Sequence, residues 1–317
     1  GVFTVSDTQA VGTVLSRMLS ELSKVIIGYE EEAMVMFATL LASGHVLLEG
    51  VPGVGKTTLA KAFARTLSLS FSRIQFTPDL LPSDVVGTVV YNPKVNDFEV
   101  KLGPIFANIV LADEINRAPP KTQAGLLEAM QEGQVTIGGK SFKLPKPFMV
   151  IATQDPRELS GTYPLPEAQL DRFMTRIYLT YPSFDEEIQI SMNTNLGKVE
   201  LVRQVISIDE LIRLIDQVDG VKLTRPVANY IVNVVRATRE YKGVRLGAST
   251  RAIQMLSRLA RAWALMHERN YVIPEDVIKL APYVLAHRIF SSSVSPEKVI
   301  EDVLRGVETP EASLIRK

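Results

Sequence analysis

Eight consecutive residues, Gly50-Val51-Pro52-Gly53-Val54-Gly55-Lys56-Thr57, have the types and spacing to hold a polyphosphate. They fit the pattern G-x-x-x-x-G-K-[ST] at every fixed position. Glycines let successive backbone N–H groups turn toward one anionic centre. Lys56 adds a mobile positive charge for the outer phosphates, and the Thr57 hydroxyl is placed to ligate Mg²⁺. The apolar run Val46-Leu47-Leu48 before the loop reads as a short buried strand. Thr58-Leu59-Ala60-Lys61-Ala62-Phe63-Ala64 after it reads as a helix, whose positive dipole end would face the phosphates. A Gly-rich turn with an incidental lysine would not need that flanking pair, so the phosphate-binding reading is preferred.

A second group sits downstream. Ile109-Val110-Leu111-Ala112 reads as a buried strand and ends in Asp113-Glu114. An acid there, opposite a phosphate loop, is the expected second Mg²⁺ ligand, and its neighbour Glu114 can act as general base toward water. Two acids after an apolar strand are common by chance, and the phosphate loop upstream gives them meaning. His45, His267 and His287 are scattered and show no ligand spacing, so no metal role is assigned to them.

The elements that must carry these groups can be read in order. A helical stripe covers residues 8–24, with Asp7 as its cap, and a second helix runs from Glu30 to Ser43 and ends at Gly44. Phe71 to Phe76 alternates like a strand. Residues 89–100 and 135–144 read as hairpins, the second turning at Gly138-Gly139. Between them Pro119-Pro120 opens a helix that stops at Gly133. Phe148 to Ala152 and Ile177 to Leu179 are further strands. Strands that alternate with helices, several of them wholly apolar, imply an α/β fold with a parallel sheet covered on both faces. After Tyr181-Pro182 strand alternation stops. Ser183-x-x-Glu186 and Ser207-x-x-Glu210 read as capping boxes, and Pro226 as a first helical residue after Thr224. Helices follow near 226–241, 250–268, 274–286 and 296–305. The expected division is a core over 1–195 and an all-helical domain over 196–317.

Composition narrows the function classes. Of 317 residues, 46% are hydrophobic and 22% charged, an ordinary globular balance. Lys plus Arg equals Asp plus Glu at 35 each, so there is no global basic field for nucleic acid. The absence of cysteine excludes disulfides, thiol catalysis and cysteine metal sites, and agrees with a cytoplasmic location. No apolar run reaches membrane-spanning length, and the first residues lack a signal-peptide layout.

The motifs, taken together and in order, resemble the MoxR family of AAA+ ATPases along nearly the whole chain. The resemblance rests on Gly50 to Thr57, Arg73-Ile74-Gln75-Phe76-Thr77-Pro78-Asp79-Leu80-Leu81-Pro82-Ser83-Asp84, Gly103-Pro104-Ile105-Phe106 and Ala112-Asp113-Glu114-Ile115-Asn116-Arg117-Ala118. It continues in Leu165-Pro166-Glu167-Ala168-Gln169-Leu170-Asp171-Arg172-Phe173 and Gly247-Ala248-Ser249-Thr250-Arg251-Ala252. It implies a P-loop core with a five-stranded parallel sheet and a helical lid, with ATP and Mg²⁺ as cofactors. Gly50, Pro52, Gly53, Val54, Gly55, Lys56, Thr57 and Thr58 would hold the nucleotide, with Ile27 and Gly28 near its adenine. Arg172 would be an arginine finger that reaches a neighbouring subunit's ATP. Arg251 would be the sensor-2 arginine of the lid, contacting the γ-phosphate. The two hairpins would be the family's helix-2 and pre-sensor insertions, facing the centre of a hexameric ring. A chaperone-like remodeller of protein clients is implied, whose usual partner carries a von Willebrand factor A domain with its own metal site.

One position departs from the family. Its sensor-1 run is commonly Thr-Gln-Asn-Pro, whereas this chain has Thr153-Gln154-Asp155-Pro156. An amide donates to a phosphate oxygen and an ionised carboxylate only accepts, so Asp155 or, failing it, Thr153 is the candidate. From the residues alone, Arg172 reads as a surface arginine paired with Asp171 or Glu167. Two rivals remain at this stage. One is a DNA motor, to which the mixed charge of Lys94, Lys101, Lys140 and Lys143 among Asp97 and Glu99 gives little support. The other is a nucleotide switch without motor action.

Overall fold

Five strands form the main sheet; the three inner ones are buried along nearly their whole length because both of their faces are covered, whereas the two edge strands also carry polar, partly exposed residues. In the computed structural model, which describes residues 5–155 and 161–315, the five are β1 (Val46–Gly50), β2 (Phe71–Gln75), β5 (Ile109–Asp113), β8 (Met149–Thr153) and β9 (Thr175–Leu179). They are all parallel and stand in the order β2-β5-β8-β1-β9. Successive side chains of a strand point to opposite faces. Ile109, Leu111, Met149 and Ile151 accordingly enter one buried cluster, and Val110, Ala112, Val150 and Ala152 enter the other.

The remaining strands form the two hairpins. β3 (Gly87–Asn92) pairs with β4 (Asp97–Leu102), and β6 (Gln134–Ile137) with β7 (Lys140–Lys143), each antiparallel. The turn of the second falls at Gly138-Gly139, as expected. Its tip lies against the first hairpin, where a Cβ at Gly138 would sit 2.6 Å from Val89 Cγ2.

Helices α1 (Val5–Leu22), α2 (Glu30–Leu41) and α3 (Lys56–Thr66) pack on the first face of the sheet. Helix α1 begins at Val5, so Asp7 lies inside its first turn and is not the cap. Helices α4 (Pro82–Val86) and α5 (Pro120–Glu132) cover the other face. Helix α6 (Glu167–Leu170) precedes β9, which starts two residues before the expected Ile177. Then come α7 (Phe184–Met192), α8 (Ile208–Gln217), α9 (Arg225–Glu240), α10 (Thr250–Met266), α11 (Pro274–Leu285), α12 (Pro296–Gly306) and α13 (Ala312–Ile315). Ser183 and Glu186 form the full capping box on α7. On α8 the Ser207 hydroxyl accepts from Glu210 N–H, and the Glu210 carboxylate returns to that hydroxyl. Helix α9 starts one residue early, which makes Pro226 its second residue.

Candidate active site

Strands β5, β8 and β1 lie side by side, and their shared direction brings their carboxyl ends to one edge of the sheet. Open parallel sheets bind ligands at that edge. Here β1 delivers the phosphate loop, β8 delivers Thr153, and β5 delivers Asp113 followed by Glu114.

Two glycines shape the loop. Gly50 pairs with Leu179 so closely that a Cβ there would sit 2.5 Å from the Leu179 carbonyl oxygen. Gly55, at φ 92 and ψ 32, takes the left-handed turn that starts α3. Lys56, Thr57 and Thr58 then form the first turn of that helix, which carries no acid to compete for an anion. Lys56 Nζ donates to the Gly50 carbonyl at 3.2 Å, folding the lysine back over the loop. Pro52 and Gly53 are exposed, and Val54 is half-buried.

The two acids are held by different donors. Thr153 is buried and bridges them: its Oγ1 donates to Asp113 Oδ1 at 2.7 Å and accepts from the Glu114 N–H at 2.9 Å. Arg73 of β2 donates to Asp113 Oδ2, at 2.5 Å from Nη2 and 3.2 Å from Nε. Glu114 has φ 55 and ψ 52, a left-handed conformation that is costly for its side chain and recurs at functional sites. Its carboxylate turns toward β2, where Gln75 Nε2 donates to Oε2 at 2.8 Å, and Arg117 Nε lies 3.3 Å from the same oxygen.

The donor set fits Mg²⁺. This ion takes oxygen ligands, with one or two from carboxylates and the rest from phosphates and water. Thr57 and Asp113 supply oxygens at one sheet edge. Among the described residues no group of three or more acids or histidines is gathered where it could hold a metal ion.

A cavity of about 350 Å³ opens beside the loop. Ile27 and Tyr29 form one wall, Gly53 to Gly55 with Thr58 a second, and Tyr181, Pro182 and Ile190 a third. Gly28 lines an adjoining cavity of about 150 Å³ together with Ile27 and Tyr29. The Tyr29 hydroxyl donates to the Thr180 carbonyl at 2.7 Å. Burial, and then Glu32, Glu186 and Glu187, push its pKa up to about 12, so it remains a donor.

Arg172 and Arg251 lie elsewhere. Neither lines the cavity at the loop. Both line another, of about 280 Å³, with His45, Met130 and Met255. Arg251 Nε is 3.9 Å from Asp171 Oδ2. Pairing of Arg172 with Asp171 or Glu167 is not what the structure shows. Asp171 is taken by Arg288 and Ser249, and Glu167 by Arg245, while Arg172 forms no ion pair among the described residues. Ser249 stands at the cap position of α10, yet its hydroxyl donates to Asp171 Oδ1 at 3.0 Å and leaves the helix uncapped by side chain.

At the sensor-1 run, the β8 residue placed against both acids is Thr153. Asp155 is half-buried two residues beyond the strand, and Pro156 lies outside the described residues. Three contributors were given no role from the sequence: Arg73 and Gln75, which lie in the run from Arg73 to Asp84, and Arg288, which lies in no motif. The first two share a face of β2 by the period-2 rule, which was a usable signal. Of the histidines, His45 is buried with Nδ1 accepting from the Val150 N–H at 3.0 Å. His287 Nε2 lies 2.8 Å from the Phe173 carbonyl, and His267 Nδ1 lies 2.7 Å from the Trp263 carbonyl.

A P-loop ATPase core with a helical lid is the class that this fold and edge define. Residues 45–175 match the model of the ATPase family associated with various cellular activities, and residues 236–306 match an AAA lid domain. YeaC of Bacillus subtilis, an uncharacterised protein, is 45% identical over 94% of this chain and 95% of its own length. Chaperone MoxR1 of Mycobacterium tuberculosis is 44% identical over 95% of this chain and 84% of its own. The crystal structure of a Cytophaga hutchinsonii protein, described as a candidate ATPase, superposes with a TM-score of 0.88 at 40% identity over 96% of this chain and 98% of that one. The chain belongs to the MoxR family of AAA+ ATPases.

Proposed function

We propose that this chain hydrolyses ATP between adjacent subunits of a hexameric ring and uses the cycle to remodel protein clients. The observation that carries the reading is the separation of two half-sites. The phosphate loop, Asp113 and Glu114 share one sheet edge, whereas Arg172 and Arg251 line a different cavity. In this reading Lys56 and the loop amides bind the phosphates, Thr57 and Asp113 hold Mg²⁺, and Glu114 activates water. Mg²⁺ would draw charge from the phosphate oxygens as the bond to the leaving group breaks. Arg172 and Arg251 of one subunit would meet the γ-phosphate of the next. The core is taken as residues 1–195 and the lid as 196–317, a division that falls between the two matched segments.

The hairpins favour a polypeptide as client. Tyr91 and Phe98 stand opposite each other, 5.6 Å apart and edge to face, yet are 50% and 68% exposed. Val95, in the turn next to them, is exposed too, as is Leu102 at the base of the hairpin. In the first hairpin the exposed Lys94 and Lys101 are matched by Asp97 and Glu99, so its apolar tip is charge-balanced, while Lys140 and Lys143 add two exposed charges on the second hairpin. Such a tip suits peptide more than a phosphate backbone, whose binding needs clustered cations. A partner with a von Willebrand factor A domain, and a part in metal-cofactor assembly, extend this proposal. A cytoplasmic site of action belongs to it too. No described helix is long and apolar enough to cross a membrane.

The test is Glu114→Gln, which keeps the shape and removes the base. It should bind ATP normally and lose hydrolysis by roughly 10²–10⁴. Used as a trap, it should retain a protein client. Retention of DNA with steep salt dependence would favour the motor rival, and turnover at near the normal rate would remove Glu114 from its role.

A further inference from the structure

Arg172 is flanked by a clamp that belongs to none of the motifs. Arg288 follows α11 in the short turn Ala286–Arg288 and is 3% exposed. Its guanidinium reaches both sides of Arg172. Nε donates to Asp171 Oδ1 at 2.7 Å, and Nη2 donates to the carbonyls of Asp171 at 2.7 Å and Phe173 at 2.8 Å. Nη1 donates to the Met174 carbonyl at 3.3 Å and, at 2.6 Å, to Val284 of its own helix. Asp171 gathers two more groups from the lid segment: the Ser249 hydroxyl, 3.0 and 3.1 Å from its two oxygens, and Arg251 Nε at 3.9 Å. The core holds the same segment through Phe173, fully buried, and through the Met174 N–H, which donates to the His45 carbonyl at 3.0 Å.

Packing alone does not call for this arrangement. Burying a guanidinium costs several kcal/mol of desolvation, and an apolar side chain would fill the space without that cost. What the planar fork adds is fixed direction. Here it fixes the backbone on each side of one residue and leaves that residue's own side chain out of the network. A displacement of about 1 Å at a transition-state contact costs on the order of 10²-fold in rate.

We infer that Arg288, with Asp171 as its counter-charge, is the positioning residue for Arg172 and makes the lid, as much as the core, set where that arginine reaches. The inference rests on the reading of Arg172 as a finger for the neighbouring site. Its consequence is directional: a lid movement in one subunit changes hydrolysis in the next, while ATP binding in its own loop is left alone.

The experiment uses Arg288→Lys, which keeps the charge and loses the fork, and Asp171→Asn, which keeps the shape and loses the charge. Both are assayed as full-length chains for kcat and KM separately, after circular dichroism confirms folding. The expected result is a kcat lower by roughly 10- to 100-fold with KM changed less than about three-fold. Each variant, mixed with Lys56→Ala, should regain activity, because the latter supplies an intact arginine face. Mixed with Arg172→Ala, neither should regain any, because both lack the same contribution. Should Arg288→Lys not fold, Asp171→Asn carries the same comparison alone. Unchanged kcat in the folded variants overturns the inference. So does failure of Lys56→Ala to rescue them in an assay where it does rescue Arg172→Ala, since the defect would then be general lid damage. If Arg172→Ala is itself not rescued, the reading of the finger fails first and the inference falls with it.

Discussion

The phosphate edge and the arginine face are built by opposite means. The edge is made by strand ends. Adjacent parallel strands in register carry Gly50, Asp113 and Thr153 to one side, and short contacts such as Thr153 to Asp113 lock it. Its residues come in runs, because a strand and the loop after it are contiguous in sequence. The arginine face has no strand behind it. Arg172 sits in the turn between α6 and β9, and the supports of its neighbour Asp171 come from 78 residues away at Ser249 and 117 residues away at Arg288. The edge is therefore rigid by secondary structure, and the face is rigid only while the lid is seated. In the proposed ring, the edge would give ATP a fixed place and the face would carry the group that reaches the neighbour.

Variants can break that contrast. The largest effect is expected from Arg172→Ala, which should cut steady-state hydrolysis by roughly 10³–10⁵ with ATP affinity retained. An equal loss of affinity, read by titration with a fluorescent ATP analogue, would put Arg172 on the edge instead. Asp155→Asn sharpens the edge. A carboxylate near the γ-phosphate repels it and an amide donates, so single-turnover hydrolysis should speed up about five-fold, or roughly 1 kcal/mol. A clear slowing would mean that the carboxylate points away and orients water or an arginine.

A further effect, on folding rather than on hydrolysis, concerns stability at the arginine face. His45 lines that cavity, and burial pulls its pKa from 6.5 down to about 4. The folded state therefore stays unprotonated where the unfolded chain takes up a proton. The stability this contributes is complete above pH 6.5 and is lost as pH falls toward 4. The loss is about 1.4 kcal/mol per pH unit in that window. Denaturant melts across it should show a shallower slope in His45→Gln. An unchanged slope would mean that His45 does not titrate in the unfolding reaction.

The same contrast explains what could be read from the chain. The phosphate loop, the acid pair and both hairpins were legible, since each is a local run with its own punctuation, and the element boundaries fell within a few residues. Thr153 was reachable only as a fallback to Asp155, because a strand-end hydroxyl looks like any other until its neighbour strand is known. Arg73 and Gln75 were visible as a polar pair on one strand face, but not the acids they hold. Arg288 gave no signal at all. It follows an apolar helix, and only the docking of that helix on the turn before β9 shows that its five donors have partners. Ser249 occupies a position where local pattern would place a helix cap, and a long-range carboxylate takes its hydroxyl instead.

The central claim is that the two regions act on each other across a subunit boundary. Mixing Lys56→Ala, dead at the edge, with Arg172→Ala, dead at the face, tests it most directly. Each chain alone should be inactive, and Lys56→Ala should also lose the ATP-dependent rise in melting temperature. The mixture, with joint assembly verified by light scattering, should recover measurable hydrolysis at interfaces that pair an intact loop with an intact arginine. Co-assembled mixtures that remain as inactive as their parents would contradict the account and return Arg172 to its own subunit.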